Sequence, residues 1–169
     1  MSTLPPKPVQ ASQVVLSRQM EIPDANLAGN VHGGTIMKMV DTAAGLAAAK
    51  HCAGLAVTAQ MDEMSFLEPV YLGDLLIVKA MVNEAFTTSM EVGVRVEAET
   101  IATGRHVHTS SAYLVFVALD EHGRPRPIPP AVAETDEERQ RQKEAGLRRE
   151  ARLQRKRAIE EARRARGET

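Results

Sequence analysis

The stretch His32-Gly33-Gly34 is followed, seven residues after the second glycine, by Asp41. Paired glycines at a helix start leave backbone N–H groups open to approach, and the helix dipole adds positive potential there. This suits a phosphate, or the oxygen that gathers negative charge during acyl transfer; it equally permits a plain loop-to-helix turn. Asp41 lies in the most apolar segment of the chain, with Ile36, Met37, Met39, Val40, Ala43, Ala44 and Leu46 around it. A carboxylate buried there either pairs with Lys38, three residues earlier, or is kept as a general base or nucleophile. On a helix Gly34 and Asp41 stand about 10 Å apart along the axis. One small acyl carbonyl hardly touches both within a single subunit. If both act on one bond, the simplest arrangement is a two-fold dimer with composite sites.

Other residues bear on the same chemistry. His32 beside the glycines fits a capping or orienting role better than proton transfer. Asn26 and Asn30 lie in the glycine-bearing loop before the helix. His106 and His108 are two apart on one strand face, with no third ligand at sensible spacing, so no metal site is expected. The methionines, including Met37, Met39, Met61 and Met64, suit either an adaptable tunnel or plain core filling.

These residues are positioned by a chain of 169 residues, long enough for one domain with a real core. No apolar run reaches the length of a membrane span. The lone Cys52 excludes an internal disulfide and fits a reducing compartment, so a cytoplasmic location is expected. The formal net charge is −1, but residues 134–169 hold 12 basic and 9 acidic side chains against 9 and 13 before them. Without aromatic interleaving or a sustained basic block, that tail does not point to nucleic acid.

The expected elements are a flexible leader over 1–13, a strand over 14–21, a buried helix over 35–52, and strands over 55–66, 75–84, 89–99 and 106–119. Thr135 and Glu138 have capping-box spacing, and Glu137/Arg141, Glu144/Arg148 and Glu160/Arg164 support a charged helix that is structured near 135–150 and frays beyond. The fold class is α+β, an antiparallel sheet wrapped around one long central helix. A domain over 14–130 is followed by a charged helical extension over 131–169.

The run from Asp24 to Met39, DANLAGNVHGGTIMKM, resembles the hotdog-fold acyl-CoA thioesterases, in particular the cytosolic (brain) acyl-CoA hydrolase group and its single-domain bacterial relatives. The likeness continues through Lys50-His51-Cys52, Phe66-Leu67-Glu68-Pro69, Gly73-Asp74, Thr88 to Val92, Ser110-Ser111-Ala112, Pro127-Ile128-Pro129 and Glu134 to Glu138, and spans residues 14–145. It implies hydrolysis of fatty acyl-CoA to free acid and coenzyme A without a cofactor. Asn26 and Asp41, from opposing hotdog units, would be catalytic, with Asn30 the second choice for the asparagine. Gly33, Gly34 and His32 would attend the thioester carbonyl. Thr58, Thr88, Ser89 and Met90 would line the coenzyme A groove, with Arg139 and Arg141 reaching for its phosphates. A homodimer is the minimal unit, assembling further to a tetramer or hexamer. The alternatives are a non-catalytic acyl-CoA-binding hotdog sensor and an acyl-thioester dehydratase or hydratase. Acyl chain length, and general-base against anhydride chemistry, are not set by these residues.

Overall fold

The structure is a computed structural model that describes residues 4–166. A five-stranded antiparallel sheet is formed by β2 (Val14–Gln19), β3 (Ala56–Phe66), β4 (Leu75–Ala85), β5 (Ser89–Thr100) and β6 (Arg105–Ala118), in the order β2-β4-β5-β6-β3. Its inner face wraps α1 (Gly33–Cys52). Alternation decides which side chains face inward. Leu76, Val78 and Ala80 of β4, Met90 to Ala98 at even positions of β5, and Ala112, Leu114 and Phe116 of β6 are all buried against α1. From the helix come Ile36, Val40, Ala43, Ala44, Ala47 and Ala48. Four alanines let the helix sit close to the sheet, and they bury only one side of it. Met37, Lys38, Asp41, Thr42 and Leu46 remain exposed, so α1 is not the wholly buried helix expected from its composition.

Residues 7–12, expected as part of a flexible leader, are held in place. β1 (Lys7–Pro8) pairs in parallel with β7 (Ala131–Val132), and Val9 and Ser12 are buried in a single 3-10 turn. The Ser12 hydroxyl accepts from the Val82 N–H at 2.9 Å, continuing the pairing of β4 past the end of β2. In β3, register shifts between Thr58 and Gln60 and between Met61 and Glu63 break the regular alternation. β3 is an edge strand, and most of its side chains are exposed.

The last helix, α2 (Asp136–Ala165), starts with the expected capping box: Thr135 accepts from Glu138 N–H, and Glu138 accepts from Thr135 N–H. It does not fray after residue 150 but runs on to Ala165. Its composition of Ala, Arg, Glu, Lys and Leu favours helix. Across the outer sheet face, Arg148 and Arg152 bond Glu91, which is 0% exposed, and Arg152 also bonds Asp62 at 2.8 Å.

Candidate active site

The loop before α1 folds back as a small hairpin. Ala25 pairs with Val31, and His32 N–H donates to Asp24 O at 2.7 Å, returning Asn26 towards the helix start. The Asn26 Oδ1 accepts from the N–H groups of Ala28 at 2.8 Å and Asn30 at 3.2 Å. Because both neighbours are donors, the atom facing them must be oxygen, and the amide Nδ2 is left as a donor. Asn30 joins this turn through its backbone and bridges to Tyr71. Leu27, at the hairpin tip, is fully exposed.

The helix start differs from expectation in one respect. His32 is the N-cap, and its Nδ1 accepts from Gly34 N–H at 2.8 Å. Gly34 therefore has no amide to offer a substrate oxygen. A Cβ at Gly34 would stand 2.9 Å from that Nδ1, so the glycine serves the cap. Thr35 and Ile36 N–H groups turn to His32 O, leaving Gly33 N–H as the one amide of this turn with no partner among the described residues. With Nδ1 accepting, His32 in its neutral form carries its proton on Nε2.

Gly33, Met37 and Asp41 follow one another at four-residue spacing along the side of α1 that faces β3. Phe66 stands beside Gly33, 3.4 Å from where a Cβ would be, and Thr58 stands beside Asp41, its hydroxyl donating to Oδ1 at 2.7 Å. Asp41 is exposed and makes no ion pair with Lys38 among the described residues, so neither burial nor that pairing accounts for it. Met37, Met61 and Phe66 are exposed along the same border between helix and edge strand. The chain thus holds a positioned carboxylate in an open, apolar-rimmed border.

The thioesterase superfamily profile matches residues 28–105. An uncharacterised acyl-CoA thioester hydrolase of Bacillus subtilis is 39% identical over 127 residues, covering 75% of this chain and 74% of that one. The chain belongs to the thioesterase superfamily. Its similarity is to acyl-CoA hydrolases in particular. Mouse cytosolic acyl coenzyme A thioester hydrolase is 33% identical over 138 residues, 80% of this chain but 36% of that protein, so the chain spans about a third of its length. The Staphylococcus aureus acyl-CoA hydrolase, solved with butyryl coenzyme A and coenzyme A, superposes with a TM-score of 0.87 at 34% identity, covering 96% of this chain and 99% of that one. That enzyme has also been solved with single alanine replacements of an aspartate, an asparagine and a threonine. A structure described as an apo-hexameric acyl-CoA thioesterase superposes with a TM-score of 0.88 at 35% identity, covering 90% and 97%. The strand, helix and four-strand order is the hotdog fold.

For this thioesterase the remaining candidates divide. Thr58 pairs across β6 with Phe116, which pairs in turn with Met90, so the three form one row at the level of Asp41. Met90, expected to line a groove, is 0% exposed in the core because its even position points at α1. Thr88 and Ser89 end that hairpin, with Thr88 O accepting from Ala118 N–H. Arg139 and Arg141 are bonded to Asp136 and Glu137. Arg141 lines a 480 Å³ cleft between α2 and the outer sheet face, opposite to α1, and does not share a groove with its own chain's Asp41. The Glu91, Arg148, Arg152 and Asp62 network was not anticipated.

Proposed function

We propose that the chain hydrolyses fatty acyl-CoA at a site completed by two copies, Asp41 of one acting with Asn26 and the helix start of the other. The observation that carries this reading is Asp41 itself: a carboxylate fixed by Thr58 at the free edge of the sheet, in a border of exposed apolar side chains. Pairing of β3 with β3 of a second copy would cover that border and satisfy the open strand edge. The fully exposed Leu27 beside Asn26 would find an apolar lining on the partner. In the S. aureus enzyme the replaced asparagine, aspartate and threonine are spaced 15 and 17 residues apart, the spacing of Asn26, Asp41 and Thr58 here. Hexameric assembly of such dimers is proposed by analogy with the structural neighbour.

In this mechanism the partner's Asp41 takes a proton from water as the oxygen attacks the thioester carbon. The carbonyl oxygen, becoming an oxyanion, is met by Gly33 N–H and Asn26 Nδ2, with His32 Nε2 a further donor. Collapse breaks the C–S bond, and the sulfur of coenzyme A leaves with the proton returned by Asp41. The free acid is the second product. No cofactor enters these steps. Thr88 and Ser89 are proposed along the pantetheine path. No described helix is long and apolar enough to cross a membrane; a cytoplasmic location is proposed from the lone buried Cys52. The test is Asp41→Asn with palmitoyl-CoA and a thiol reagent. The reading expects thiol release to fall at least 10²-fold, and near-normal release would overturn it.

A further inference from the structure

The partners of α2 map a path across the outer sheet face. Gln142 donates to Ala131 O and lies by Glu84 of β4. Arg148 reaches Glu91 of β5 and stacks 3.7 Å from the ring centre of Tyr113 on β6. Arg152 and Arg155 both bond Asp62 of β3. β3 is the last strand of the sheet, yet the helix continues for ten residues beyond Arg155, to Ala165. At 1.5 Å per residue that is about 15 Å, the width of roughly three strands.

Every residue from 153 to 166 is exposed. The face turned to the sheet, Ala145, Arg148, Arg152 and Arg155, continues at the same spacing through Ile159, Arg163 and Arg166. Ile159 is 47% exposed. The segment 153–166 has six basic and two acidic side chains, on a chain whose first 133 residues are net acidic. On the outer face of β3, Val57 is exposed, and Glu63 is exposed with no ion pair among the described residues.

We propose that residues 156–166 form an arm that crosses the dimer seam and lies on the outer sheet face of the second copy, over its Val57–Glu63 stretch. The inference rests on the edge-to-edge dimer of the functional reading, because only a second β3 alongside the first continues the surface that α2 already follows. Ile159 then packs on the partner's Val57, while Arg163 and Arg166 meet the partner's Glu63. Two-fold symmetry gives each copy one arm and one receiving face.

The test mixes two full-length variants, Ile159→Cys and Val57→Cys, lets subunits exchange, and treats them with a short bis-maleimide. Native Cys52 is buried and does not compete. Cross-linked pairs joining one chain of each variant are expected, and Ile159→Asp is expected to raise the dimer dissociation constant at least tenfold in sedimentation. A stable dimer with no mixed cross-link and an unchanged dissociation constant contradicts the arm and leaves the shared active site standing. A wild-type chain that is active as a monomer overturns both.

Discussion

The Thr58 hydroxyl donates to Asp41 Oδ1 across 2.7 Å and so ties the carboxylate of α1 to the edge strand β3. Seventeen positions separate the two in sequence, and Oδ2 has no hydrogen-bond partner among the described residues. Thr58 is therefore a positioning residue as well as a candidate neighbour of coenzyme A. Thr58→Val should lower kcat by roughly 10- to 100-fold, the worth of a hydrogen bond to a charged group, with KM little changed, and Thr58→Ser should restore it. Steady-state kinetics with one acyl-CoA distinguishes this from the alternative: raised KM with intact kcat would make Thr58 a coenzyme A contact only.

Asn26 separates loop order from chemistry. Asn26→Asp keeps the oxygen that accepts from Ala28 and Asn30 N–H but removes the Nδ2 donor. Turnover is expected to fall by about 10²–10³, the usual cost of a lost oxyanion donor, while protease resistance of the loop is unchanged. Asn30→Asp should be far milder. The reverse ranking would move the catalytic assignment to Asn30.

The attachment of α2 gives a stability prediction. Arg148→Ala leaves Glu91 buried with Arg152 still bonded but two hydrogen bonds lost, a defect that typically costs about 1.5–3 kcal/mol. Arg141→Ala removes only an exposed pair with Glu137, worth about 1 kcal/mol or less. Urea denaturation compares the two directly, and equal effects would show that the network does not anchor the helix.

How far the sequence reaches is clear from these residues. The strands announced themselves through two-residue alternation, and the α2 start through Thr135 and Glu138, because both signals are local. Glu91 was not legible. It occupies an outward position that a free sheet would solvate, and the arginines that bury it arrive 57 and 61 residues later. Asp41 was singled out because a buried carboxylate needs a reason, but it is exposed: the alanines that make α1 look buried serve close packing on one side only. The His32 cap was signalled, since a polar residue directly before a helix start is well placed to take an N–H. Reading Gly34 as free for substrate overlooked that competitor.

His51 sets a pH dependence on stability. It is 0% exposed, its Nε2 meets Pro129 O at 3.0 Å, and its Nδ1 has no partner among the described residues. Burial holds the imidazole below its ordinary 6.5; the Pro129 carbonyl opposes this by favouring the charged ring, and Lys7 reinforces it. Below 6.5 the unfolded chain binds a proton that the folded chain resists. Stability from this group is therefore complete above about 6.5 and declines as pH falls towards the lowered value. Thermal midpoints from pH 7.5 to 5 should drop less steeply, by roughly the contribution of one titrating group, in His51→Gln than in the natural chain. Parallel curves would remove His51 as the cause.

The shared site itself is tested most directly by complementation. Asn26→Ala and Asp41→Asn chains are each expected to be inactive as pure proteins. In a dimer containing one of each, one site collects both substitutions and the other collects neither. An equal mixture after subunit exchange is predicted to recover about a quarter of natural turnover, half the dimers being mixed with one intact site of two. A mixture with no more activity than its two components would contradict the shared site.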